Sequence, residues 1–80
     1  MRKENSNLLN LIDTCSYEVC YQKKGCDEIL PYDGCHENLR MILMDHETEV
    51  TELDPKAVNH SSWSVFVPCF PATLYFEIEE

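Results

Sequence analysis

The chain is 80 residues long, 44% hydrophobic and 26% charged, with a formal net charge of −9 at pH 7. That length makes one domain, residues 1–80, burying only about 60% of the surface its unfolded form exposes, and two Gly and four Pro exclude a low-complexity chain. No stretch approaches the ~18 apolar residues of a bilayer span, and the acidic balance argues against direct binding of a phosphate backbone, which needs Lys and Arg.

Met1-Arg2-Lys3 carries two positive charges, but Asn10 and Asp13 interrupt the apolar residues Leu8, Leu9, Leu11 and Ile12. A secretion signal needs about 7–15 nearly unbroken apolar residues, so the sequence reads as that of a soluble cytoplasmic protein. Asn5 or Ser6 is a candidate helix cap. Leu8, Leu11, Ile12, Cys15 and Val19 then recur at helical spacing. Tyr17, Val19 and Tyr21 alternate with Glu18 and Cys20, which also reads as a short strand. The sequence favours one helix ending near Gln22, stopped by Lys23-Lys24-Gly25. Residues 25–35 read as a loop, with Pro31-Tyr32-Asp33-Gly34 as a turn.

Leu39-Arg40-Met41-Ile42-Leu43-Met44 is the most apolar run of the first half. Leu and Met favour helix, but the run is short, and residues 47–53 after it alternate like a strand. The expectation is narrowly a strand over 39–45 with 48–53 as its antiparallel neighbour. Asp54-Pro55 ends that element, and Asn59-His60-Ser61 is a polar connection. Trp63-Ser64-Val65-Phe66-Val67 is a strand by its β-branched and aromatic content. Pro68-Cys69-Phe70-Pro71 is a loop, because two prolines do not sit inside a sheet. Residues 74–79 form a second strand, with Leu74, Phe76 and Ile78 on one face and Tyr75, Glu77 and Glu79 on the other. The expected fold is α+β, in two layers: one N-terminal helix packed on a small antiparallel sheet of three to four strands.

Five cysteines are many for this length, and without a secretion signal they read as thiols or metal ligands. Cys15, Cys20, Cys26 and Cys35, with His36, are the candidate zinc ligands. Only Cys15 and Cys20 have a typical ligand spacing. On a helix these two stand about 140° apart around the axis, which sets them facing away from each other. Free thiols, some packed as small hydrophobes, are the favoured reading, and no cofactor is expected. Cys35-His36 is a poor catalytic pair, since direct neighbours seldom point at one another. No Ser–His–Asp elbow, Gly-rich phosphate loop or HExxH motif is present, so the expectation is a non-enzyme. Asn59-His60-Ser61 matches a glycosylation sequon, read here as chance.

The acids are unevenly spread. Residues 1–44 hold seven acids and five bases, whereas residues 45–80 hold eight acids and only Lys56. Glu47 and Glu49 are expected on one side of a strand, and Glu77 and Glu79 on one side of another, each pair about 7 Å apart. That spacing is close to that of successive phosphates. A solubilising face usually mixes its charges; this one does not. Glu47, Glu49, Glu52, Asp54, Glu77 and Glu79, with Tyr75 as an aromatic anchor, are therefore the candidate partner-binding residues. The expected partner is a basic, nucleic-acid-binding protein, and the expected role is inhibition by nucleic-acid mimicry. Phage-encoded proteins that block nucleases or CRISPR effectors are of this type, an analogy of class and not of residues. The alternatives are a zinc-stabilised binding module, or an accessory subunit bound through strands 63–67 and 74–78.

Overall fold

The computed structural model describes residues 1–80. Two helices pack on one face of a five-stranded antiparallel sheet. The α+β class and two-layer arrangement are as expected; one more helix and at least one more strand are present.

The first helix, α1, is Lys3–Thr14. Asn5, Leu8 and Ile12 are its buried residues, one stripe at i, i+3 and i+7. It ends eight residues earlier than the sequence favoured. Cys15 is already extended, and the Thr14 hydroxyl turns back to the Asn10 carbonyl. From Ser16 the chain runs as strand β1, Ser16–Lys23. The deciding signal is the period-2 pattern of Tyr17, Val19 and Tyr21, three residue types that favour strands, and it is realised by pairing along the whole of β1. Lys23-Lys24-Gly25 does end this element, as a turn in which Gly25 adopts φ +81°, open to a residue without Cβ.

Strand β2 is only Leu30–Pro31 and forms one edge of the sheet, the position where a proline is tolerated. The expected strand over 39–45 is instead helix α2, His36–Met44. Leu39 and Leu43, four residues apart, are buried, while Met41 and Met44 between and beyond them are exposed. A strand would have buried alternate residues; the run is apolar on both sides, so its period was hidden. Strand β3, Glu49–Glu52, therefore has no partner in 39–45. It pairs with β4, His60–Val67, joining Glu49 to Phe66 and Glu52 to Trp63. Strand β5, Ala72–Glu79, follows after residues 68–71, expected as a loop and folded as a turn.

The strand order is β2-β1-β5-β4-β3. The last strand thus lies at the centre, paired with β1 from Ser16–Glu79 to Lys23–Ala72 and with β4 from His60–Glu79 to Val67–Ala72. Its inward residues Leu74, Phe76 and Ile78 meet Trp63, Val65 and Val67 of β4 and the buried leucines of both helices in one core. Trp63 satisfies its indole N–H on the Ser61 hydroxyl at 3.0 Å.

One buried polar side chain ties the helices together. The last carbonyls of a helix lack intrahelical donors, and the Leu43 carbonyl near the end of α2 is also inside the core region. The Asn5 amide, 1% exposed, donates to it at 3.0 Å and to the Thr48 carbonyl at 3.3 Å. Asn5→Ala leaves both carbonyls without this donor, a cost of about 1–3 kcal/mol. We expect a lower urea midpoint for Asn5→Ala, whereas the exposed Asn7→Ala stays within about 0.5 kcal/mol of wild type. Equal midpoints for the two variants would remove the bridging role.

Candidate protein-interaction surface

With both helices on one side, the other face of the sheet is open. Strand register places its side chains in rows. Glu18, Glu77 and Ser62 form one row across β1, β5 and β4; Ser16, Glu79 and His60 form the next. On the other side of the Glu77 row stand Cys20, Tyr75, Ser64 and Thr51, and beyond them Gln22, Thr73, Phe66 and Glu49. No Lys or Arg occupies an outward position on any of the five strands.

Glu18, Glu77 and Glu79 make an acidic corner. Opposed residues of an antiparallel pair have Cβ atoms about 5 Å apart, and like charges so placed repel. Part of this charge is held by neighbours. The Ser62 hydroxyl donates to Glu77 at 2.7 Å, and His60 Nε2 lies 2.9 Å from the same carboxylate oxygen. Glu18 and Glu79 have no hydrogen bond or ion pair. A shallow cavity of about 220 Å³ opens between Ser16, Glu18, His60, Glu77 and Glu79. Beside it the Tyr75 hydroxyl donates to Gln22 Oε1 at 3.2 Å, which fixes the ring on the open face.

The expected binding residues divide. Tyr75, Glu77 and Glu79 share the open face as expected, and Glu49 lies on that face at its opposite corner, roughly 17 Å from Glu77 by strand geometry. Glu47 does not share a strand side with Glu49. It sits in the turn before β3, its N–H bonded to Asp45 Oδ1. Glu52 stands opposite Trp63 at the helix-side edge, and Asp54 lies past the end of β3. Glu18 and His60 were missed. Glu18 was hidden by reading 15–22 as helix; the alternation with Tyr17 and Val19 was the available signal. His60 was assigned to a connection, and it starts β4.

The alternative zinc ligands are not gathered. Cys15 follows α1, Cys20 points to the open face opposite Tyr75, Cys26 and Cys35 are exposed, and all five cysteines are free thiols. No three His, Cys, Asp or Glu residues come together as a group able to hold a metal ion. His36 has other partners. Its Nδ1 lies 2.6 Å from the Tyr17 hydroxyl and its Nε2 lies 3.0 Å from Asp13 Oδ1, while Arg40 bonds the other Asp13 oxygen. An ionised carboxylate only accepts, so neutral His36 carries its proton on Nε2 and accepts from Tyr17. The set has the order of a catalytic relay, but burial and the Asp13 charge push the Tyr17 hydroxyl above its ordinary pKa, so it holds its proton. Asp13, His36 and Arg40 line none of the main cavities, and Tyr17 borders only the shallow one beside Glu18 and Glu77. The geometry makes the set a clamp joining the end of α1, the start of β1 and the first turns of α2.

Strands 63–67 and 74–78, on which the accessory-subunit alternative rested, are interior strands whose apolar faces line the core. No helix is long and apolar enough to cross a membrane. No protein-family model, curated protein or solved structure matches this chain.

Two outcomes follow from these charges. Glu18 faces Glu77 with no compensating partner, so Glu18→Gln is expected to raise the thermal midpoint, by an amount equivalent to about 0.2–1 kcal/mol; a drop would show that the pair is not repulsive. The hydrogen bond from Arg40, aided by His36, holds the Asp13 carboxyl below its ordinary value of 3.8. A lowered folded-state value contributes stability that is full above the unfolded value and fades as pH falls through the folded one. The stability gap between wild type and Asp13→Asn should therefore shrink as pH falls below about 4. Urea melts across that range would show it, and a gap independent of pH would contradict it.

Proposed function

We propose that this chain is a protein-binding inhibitor that sets the acidic corner of its open sheet face into a basic, nucleic-acid-binding groove of a partner. The observation that carries this reading is the register. Glu18, Glu77 and Glu79 are grouped on one exposed face whose outward strand positions hold no Lys or Arg, Lys23 and Lys24 lying at its opposite end. A sheet has the rigidity to hold such a pattern, and spacings of about 5 Å across strands and 7 Å along them follow the density of charge on a phosphate chain. Tyr75, fixed by Gln22, supplies a half-buried aromatic edge beside the charges. Complementary charge of this kind accelerates encounter and selects the partner. The anti-CRISPR and other phage anti-defence proteins are the functional type to which this reading assigns the chain, by class of surface alone.

The test uses two variants with the same change in net charge. Glu18, Glu77 and Glu79 are changed to Gln in one. In the other, Glu47 and Glu52 are changed to Gln and Asp54 to Asn. Each is immobilised and exposed to a nuclease-treated bacterial lysate, and bound proteins are eluted with rising salt. Wild type and the second variant should retain the same nucleic-acid-binding proteins, released by salt, and the open-face variant should lose them. Equal capture by both variants would mean that the open face is not the docking surface.

A further inference from the structure

On the helix side of the sheet, at the end away from the acidic corner, the second layer is incomplete. Helix α2 has nine residues, and α1 packs on α2 and β3. Neither closes over the strand ends near the β4–β5 turn. Two cavities of about 320 and 360 Å³ open there and share Tyr32, Ile42, Val67 and Phe70 as walls, so they make one groove. Each is as large as the smaller clefts that hold ligands. Tyr21 and Leu74 form the floor at one end, with Tyr21 edge-on to Tyr32 at a ring separation of 6.2 Å. Met41, 69% exposed, and Phe70, 65% exposed, stand on the lips.

We infer that this groove receives a segment of a partner protein that carries a bulky apolar side chain next to a Lys or Arg. Three observations select that occupant. The walls are apolar and aromatic, the lining that anchors a large side chain, and a Met on the lip adapts to its shape. The rim carries Asp33 at the first cavity and Asp45 at the second, against the single Lys23, so a basic neighbour of the anchor is favoured. A second copy of the chain is disfavoured, because it would bring a net charge of −9 and the same acidic rim against this one. The groove and the acidic corner lie on opposite faces and at opposite ends of β5, so this inference stands independently of the function proposed above.

The test is selection of a displayed library of random 15-residue peptides on the immobilised full chain. Enriched peptides are then measured by fluorescence polarisation against three proteins: wild type, the double variant Met41→Ser/Phe70→Ser, and the triple variant Glu18→Gln/Glu77→Gln/Glu79→Gln. Met41 and Phe70 are exposed, so their replacement leaves the core intact, and a circular-dichroism melt verifies this. The expected result is a shared pattern of a large apolar residue beside Lys or Arg. Affinity for the groove variant should fall at least about tenfold, the size of an anchor loss, and affinity for the open-face variant should stay within about twofold. Absence of any enriched peptide, equal binding to the groove variant, or equally tight peptides without a basic residue would each overturn the inference. Loss of binding in the open-face variant alone would assign the peptides to the acidic corner instead.

Discussion

The position of β5 is the constraint on which the rest depends. It is the only strand paired along its full length on both sides, with β1 and β4 as neighbours. Its alternation supplies the centre of both faces at once. Leu74, Phe76 and Ile78 go to the core, and Tyr75, Glu77 and Glu79 go to the open face. A slip of one residue would exchange these sets, placing two carboxylates in the core and three large apolar residues in water. Burial of Phe76 and Ile78 at 0% exposure therefore fixes the register of the acids as firmly as that of the core. It also makes the sheet a non-local structure, because β1 and β4 have no pairing with each other and meet only through β5.

The helices are held over that sheet by apolar burial and by two polar ties of different kinds. Asn5 is buried and acts on backbone carbonyls, so its contribution does not depend on charge. The tie of Asp13, His36, Tyr17 and Arg40 is partly exposed and depends on the Asp13 carboxylate. Each links α1 to α2 at a different end: Asn5 in the first turns of α1 meets the last turn of α2, and Asp13 near the end of α1 meets its beginning. The two antiparallel helices are thus tied at both ends. On the other face the charges work against stability, since Glu18 and Glu77 face each other.

Much of this was legible in the sequence, for identifiable reasons. Residues 63–67 are rich in β-branched and aromatic side chains, residues 74–79 alternate, and the hairpin of β4 and β5 forms there. The alternation of Tyr75, Glu77 and Glu79 against the apolar set was readable for the same reason. In 15–22 two periods were superimposed: Cys15 and Val19 extend the helical stripe, while Tyr17, Val19 and Tyr21 make a strand stripe. The strand stripe prevails because β5 pairs with it along its whole length, a contact that is distant in sequence. The consequence spread, because the argument that set Cys15 and Cys20 on opposite sides of a helix has no helix to stand on, and Glu18 was lost from the acid set. In 39–44 the apolar residues are too dense to show a period. Only burial separates Leu39 and Leu43 from Met41 and Met44. The partners of His36 come from α1 and β1, so they belong to the tertiary structure alone.

Both candidate surfaces arise from one shortage. Five strands expose two faces, and the chain spends only α1 and α2 on covering them. One face must meet solvent, so its outward positions are polar or charged apart from Phe66 and a few small neighbours, and their sign is free for selection to set. The covered face needs a layer as long as eight-residue strands, about 26 Å. A nine-residue helix spans only about 14 Å along its axis. The uncovered length falls beside the β4–β5 turn, where Tyr32 and Phe70 from loops stand in for the missing helical turns and leave a groove between them. Lengthening α2 past Met44 would close that groove only if the chain gave up the turn at 45–48, and Asn5 and Arg2 hold the Thr48 carbonyl at the end of that turn. The same contacts that secure the helix layer thus keep it short, and an apolar opening at that corner is a property of the fold itself.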